Sequence, residues 1–153
     1  SEDKLAQCVA LGAEGGSIRH DGSFLAKAQE WAGQSGVDMI LDPVGAQYLG
    51  DNLTVLGLGG RLVLIGLMSG IQSEINLAML MMKRTRVIGS TLRARPIAEK
   101  TAVMQGLLKD VWPKIATGDI RPIIDAQFPI QEMQAAHTLM AGNGTVGKVV
   151  LSV

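Results

Sequence analysis

Apolar positions along this chain change period from segment to segment, and those changes lay out its elements. Leu5, Cys8 and Val9 stand at i, i+3 and i+4 behind Ser1 and Asp3, either of which can cap a helix, and Gly12 sits where that helix ends. Residues 15–19 make a short, weakly marked strand. Phe24, Leu25, Ala28, Trp31 and Ala32 return to helical spacing. "GVDMILDPVG", residues 36–45, is a compact apolar run between breakers, which is how a strand buried on both faces reads. Tyr48, Leu49, Asn52, Leu53 and Leu56 are helical again, closed by Gly57. "RLVLIG", residues 61–66, reads as another buried strand; Asn76 caps a helix running to Arg84; "RVIGSTL", residues 86–92, is the next strand. Met104, Leu107, Leu108, Val111, Trp112 and Ile115 stripe a long helix with a kink at Pro113 and an end at Gly118.

Buried strands alternating with helices predict an α/β fold with a parallel, doubly wound sheet. The pattern changes at about residue 122. Pro122 and Pro129 punctuate the tail, Ile130, Met133, His137 and Met140 mark one amphipathic helix, and "GKVVLSV" reads as a terminal strand. The expected division is therefore residues 1–122 and 123–153.

"LGLGGRLVLIGLMSG", residues 56–70, contains G-x-G and raises the question of a phosphate loop. A dinucleotide-binding glycine loop follows a strand and opens a helix, so that the helix N-terminus meets the pyrophosphate. Gly57-Leu58-Gly59 instead follows a helix and precedes a strand, and the third glycine of G-x-G-x-x-G falls at Leu62. It reads as a helix end and a tight turn. The carboxyl ends of the strands are more informative, because open α/β sheets bind ligands there. Asp42-Pro43-Val44-Gly45, Gly66-Leu67-Met68-Ser69-Gly70 and Ser90-Thr91-Leu92-Arg93 occupy those ends. Small residues there suit close approach of a ligand, and ordinary turns draw on the same residues. The sequence leaves both readings open.

Charge narrows the partners. The 153 residues carry 14 basic and 14 acidic side chains, so nothing in the balance suggests a nucleic-acid or anionic-membrane partner, both of which want a basic surface. No apolar run reaches the roughly 18 residues of a membrane span. The opening Ser1-Glu2-Asp3-Lys4 has no leader pattern, and a single cysteine, Cys8, suits a reducing compartment, so a cytoplasmic protein is expected. One cysteine excludes an internal disulfide and a cysteine-based structural zinc site. With two histidines, His20 and His137, any metal site would be mostly carboxylate, and the sequence shows no such cluster. Cys8 reads as a small hydrophobe on its helix stripe, and His137 as a partly buried structural residue.

"DPVG", "GGRLVLIGLMSG", "GSTLRAR" and "FPIQEMQAAHTLMAGNGTVGKVVLSV", in that order, resemble the carboxyl-terminal half of the zinc-free, zeta-crystallin-like quinone oxidoreductases of the medium-chain dehydrogenase/reductase superfamily. The resemblance implies an incomplete doubly wound parallel (Rossmann) sheet lacking its first strands, plus a C-terminal helix–strand tail. In the family that tail crosses back to a GroES-like substrate domain. Ser1-Glu2-Asp3-Lys4 is similar to a serine-x-x-lysine segment just after the second Rossmann strand, so the chain is expected to be a piece of a longer reductase, inactive by itself.

The resemblance also implies cofactor contacts. Ser1 and Lys4 would face the 2′-phosphate of NADPH, where a compact cation suits a phosphate. Arg19 stands where the family often has a tyrosine near the adenosine. Asp42, Val44 and Gly45 would lie beneath the adenine and ribose. Gly66, Leu67, Met68 and Ser69, with Leu92 and Arg93, would line the nicotinamide side. Asn143, Gly147 and Lys148 would make the terminal contact. Four of them have a plainer reading: Lys4 and Arg19 solvated at the surface, Asp42 bracing its turn, Met68 filling the core. The implied chemistry is hydride transfer from NADPH to a quinone or similar conjugated carbonyl, without zinc and with no catalytic acid–base pair in this chain. A homodimer through the edge strand of residues 86–92 is implied as well. The alternatives are an enone or enal reductase of the same superfamily and a stand-alone interaction module that binds no dinucleotide.

Overall fold

The structure, a computed structural model, describes residues 1–18 and 23–153. They form two compact units, Ser1–Ala94 and Arg95–Val153.

The first unit runs α1 (Glu2–Ala10), α2 (Leu25–Ala32), β1 (Val37–Asp42), α3 (Leu49–Val55), β2 (Leu56–Leu64), α4 (Leu77–Lys83) and β3 (Arg86–Gly89). Its strands are all parallel, in the spatial order β1-β2-β3. Parallel neighbours need a crossover between them, and α3 and α4 supply it. Register sorts the two faces. Ile40, Leu62 and Val87 lie opposite one another, as do Asp42, Leu64 and Gly89; Leu41, Val63 and Ile88 take the other face. Leu53, Leu56 and Leu62 are the fully buried centre, with Ile40, Leu49, Leu64, Met79 and Leu80 packed around them. Each of the three fully buried leucines contributes about 1.5–3 kcal/mol by leaving water.

Asn76 caps α4 as its sequence suggests, its side chain accepting the Ala78 N–H at 3.0 Å. At the other end of α4, Lys83 Nζ donates to the carbonyls of Thr54 at 2.6 Å, Leu56 at 2.8 Å and Leu53 at 3.4 Å. These are orphan carbonyls at the end of α3, where a cation is favoured.

Several expectations are corrected. Residues 15–18 carry no strand assignment. An added side chain at Gly16 would meet Leu5, and one at Gly15 would come within 3.0 Å of the Trp31 ring, so this segment is tied to side chains of α1 and α2 rather than to a ladder. The remaining residue of the expected strand, Arg19, lies outside the described residues. β2 begins at Leu56 and takes in the Gly57-Leu58-Gly59 stretch. The register with β1 jumps from Val37↔Leu56 to Met39↔Arg61, so the glycines form a bulge where a plain turn was expected. Gly57 lies against the Ser35–Gly36 backbone, and any side chain there would strike the Ser35 carbonyl. β3 stops at Gly89, earlier than expected. The strand expected to be buried on both faces leaves Met39 54% and Leu41 62% exposed, because the helices of this unit that pack on the sheet meet the Leu62 face. Cys8 is exposed, on a helix that buries no residue.

The second unit runs α5 (Ile97–Asp110), α6 (Trp112–Thr117), β4 (Ile124–Pro129), α7 (Met133–Ala141) and β5 (Lys148–Ser152), with β4 and β5 paired in parallel. The single kinked helix expected around Pro113 is two helices, divided at Val111. Pro113 sits in the first turn of α6, where a missing N–H costs nothing. β4 was not anticipated. It is fastened to the approach of β5 by the Val146 N–H, which donates to Asp125 Oδ1 at 2.9 Å. α7 packs on β4 and β5 with Ala136 buried, a small side chain that permits close approach. His137 is consequently exposed rather than partly buried, and Met133 and Met140 are more than half exposed.

Candidate functional site

A cavity of about 610 Å³ opens at the carboxyl ends of β1 and β2, and its lining runs from Ile40 and Leu41 through Asp42, Pro43 and Val44 to Met68 and Ser69. Phe24, Gln47, Tyr48 and Asn52 complete much of the rest of its wall. The Phe24 and Tyr48 rings meet edge to face, 5.3 Å apart at 71°. This is where open parallel sheets place ligands.

The wall is built from two turns. The first follows β1. Asp42 is 3% exposed, and its Oδ1 accepts the Val44 N–H at 2.6 Å and the Gly45 N–H at 3.1 Å. Its Oδ2 accepts from Asn52 Nδ2 at 3.0 Å, and Asn52 is itself 4% exposed. A buried carboxylate is tolerable when hydrogen bonds satisfy it, and these do. The second turn follows β2 and is fastened to the first. Ser69 Oγ donates to the Val44 carbonyl at 2.9 Å and accepts the Gln47 N–H at 2.9 Å. The Ser69 N–H also donates to Val44 O at 2.8 Å, and the Ile65 N–H to Asp42 O at 2.9 Å. Gly66 packs so closely that a Cβ there would lie 2.6 Å from the Pro43 carbonyl oxygen. Its small size therefore serves the contact between the two turns.

The sequence-predicted residues are distributed unevenly. Asp42, Val44, Met68 and Ser69 line the main cavity. Met68 is 84% exposed and is no core filler. Gly45 and Leu67 line a smaller recess of about 150 Å³ beside Gly70. Ser1 precedes α1 and accepts the Leu5 N–H on its carbonyl at 3.1 Å, and Lys4 lies half-buried in the first turn; neither lines the main cavity. Leu92 and Arg93 are exposed beyond β3. Asn143, Gly147 and Lys148 belong to the second unit, where Asn143 has φ 53° and the Lys148 N–H donates to Ile123 O at 2.8 Å. Arg19 is outside the described residues. Missed in the sequence were Phe24, Tyr48, Gln47 and Asn52. For Asn52 a signal existed: an amide in the middle of an apolar helical stripe needs a partner.

Among the described residues no group of three or more His, Cys, Asp or Glu could hold a metal ion, and no helix is long and apolar enough to cross a membrane.

Residues 3–151 match the family model described as zinc-binding dehydrogenase. Human quinone oxidoreductase is 27% identical over 133 residues, which cover 84% of this chain and 38% of that protein. Acryloyl-coenzyme A reductase of Metallosphaera sedula is 29% identical over 127 residues, covering 82% of this chain and 35% of that protein. Among solved structures, the quinone oxidoreductase of Thermus thermophilus, solved also in complex with NADPH, superposes with a TM-score of 0.81 at 29% identity, over 100% of this chain and 47% of that one. The chain thus spans less than half the length of these relatives.

Proposed function

This chain belongs to the zinc-binding dehydrogenase family, and on that premise we propose that it forms the nucleotide-facing part of an NADPH-dependent oxidoreductase that delivers hydride to a quinone. The observation that carries the reading is the cavity at the carboxyl ends of β1 and β2, with its apolar wall and its aromatic pair. The donor set fits a nucleotide better than a metal. Apolar side chains and a ring pair suit a flat base, whereas the described residues offer a metal ion no ligand group.

NADPH supplies the hydride when bound, and this chain supplies position and dryness. Val44 and Gly45 in the turn after β1 face the base and ribose, with Asp42 holding that turn. Gly66, Leu67, Met68 and Ser69 after β2, with Leu92 and Arg93 after β3, form the nicotinamide side, where Leu67 and Met68 exclude water. Lys4, with Ser1 beside it, answers the 2′-phosphate. No acid–base pair and no zinc is assigned to this chain. β3 is one of the two edges of the sheet, and pairing of two copies along it gives a homodimer.

A second reading, reduction of a conjugated carbonyl, is favoured by the similarity to the acryloyl-coenzyme A reductase. Calorimetric titration of the chain with NADPH and with NADH tests the cofactor, and a quinone and enone panel on the complete reductase tests the substrate. NADPH binding tighter than NADH supports the reading. Equal binding removes Lys4 from the phosphate. Failure to bind either nucleotide overturns the cofactor reading and leaves the interaction module.

A further inference from the structure

We propose that Asn52 is a positioning residue for the nucleotide, acting through Asp42. The inference rests on the cavity being the nucleotide site. Asn52 sits on α3, the helix that returns from the turn to β2, and its Nδ2 donates to Asp42 Oδ2 at 3.0 Å. Asp42 is the last residue of β1, and its other oxygen holds the Val44 and Gly45 N–H groups. Strand end, turn and helix are thereby fixed by one carboxylate whose two oxygens accept three N–H bonds. Both partners are at least 96% buried, so the bonds are made where water does not compete for them. Val44 then carries the constraint onward, because its carbonyl accepts from Ser69. The chain of bonds therefore runs Asn52, Asp42, Val44, Ser69, from the helix to the wall of the second turn. Asp42 in this arrangement braces the site, and its charge answers the turn amides rather than the ligand.

The experiment uses the whole chain, NADPH titration, and amide hydrogen exchange at Val44 and Gly45. Asn52→Leu removes the donor. Asn52→Asp sets a second carboxylate against Asp42. The exchanged pair Asp42→Asn with Asn52→Asp keeps one amide, one carboxylate and the bond between them. Val55→Ala, in the same helix and outside the cavity lining, is the control for general loss of stability. The expected result is about tenfold weaker NADPH binding in Asn52→Leu with faster exchange at both amides. Asn52→Asp behaves at least as badly, the exchanged pair recovers most of the loss, and Val55→Ala does neither. Unchanged exchange in Asn52→Leu, or a loss of affinity matched by Val55→Ala, overturns the proposal. An exchanged pair no better than Asn52→Asp also overturns it, since the charge at position 42 would then matter directly. Should the wild-type chain bind no NADPH, the cofactor reading fails, and the exchange rates alone decide whether Asn52 holds the turn.

Discussion

Ser69 Oγ lies 2.9 Å from the Val44 carbonyl oxygen and 2.9 Å from the Gln47 nitrogen, so the turns after β1 and β2 are one hydrogen-bonded body. The hydroxyl uses its donor and an acceptor lone pair within the protein. Ser69→Ala is expected to cost about 1 kcal/mol of stability, the ordinary worth of an intramolecular hydrogen bond. Amide exchange at Gln47 should rise with it. An unchanged rate at Gln47 would mean that the backbone bond from the Ser69 N–H already holds the turns together.

Gly66→Ala places a methyl group 2.6 Å from the Pro43 carbonyl oxygen, which is backbone and cannot swing aside. Overpacking of this kind costs about 1–3 kcal/mol. Urea unfolding with an unchanged slope and a lower midpoint is the expected result, and a wild-type midpoint would contradict the tight contact.

Leu62 is 0% exposed at the centre of the sheet. Leu62→Ala should cost about 2–5 kcal/mol, the range for large-to-small changes in a packed core. Thermal unfolding reads this directly, and a loss below that range would show that the neighbouring helices collapse into the space.

Lys4→Gln should weaken NADPH binding about tenfold or more while leaving NADH binding alone, since a hydrogen bond between charged groups is worth about 1.5–3 kcal/mol. A titration in which discrimination between the nucleotides survives would free Lys4 of that role.

Ile88→Lys, in the edge strand, should convert a dimer to a monomer by placing a charge where strands would pair. Sedimentation of the wild-type chain comes first: a monomer there ends the edge-pairing model.

The sequence made β1 and β3 readable because "VDMILD" and "RVIG" are apolar runs bounded by breakers. β4 escaped because "IDAQFP" has no clean alternation and its partner, β5, begins at Lys148. A ladder between distant segments leaves little local trace. The same distance hid the cavity's aromatic pair: Phe24 and Tyr48 each read as a member of a helix stripe, and only the fold brings the rings to 5.3 Å. The strand-end turns were visible as candidates, but whether Gly66 accommodates a ligand or a neighbouring turn depends on what lies against it. Periodicity gave Asn52 a place on an apolar stripe, whereas its bond to Asp42 shows why an amide stands there.

The bond from Lys83 to the end of α3 has a kinetic meaning. Its acceptors lie 27 to 30 residues earlier, in the corner where α3 becomes β2. The ammonium has nothing to bind until that corner exists, so the clasp is expected to close only after the corner has formed. Interactions absent from the transition state act on the rate of escape from the native state. Lys83→Met should therefore steepen the loss of the native state in time, raising the unfolding rate while refolding keeps its pace, and stopped-flow measurements of both limbs would show it. By that measure α4 serves as a latch on the finished corner, and the persistence of this unit depends in part on a side chain that lines no part of the main cavity.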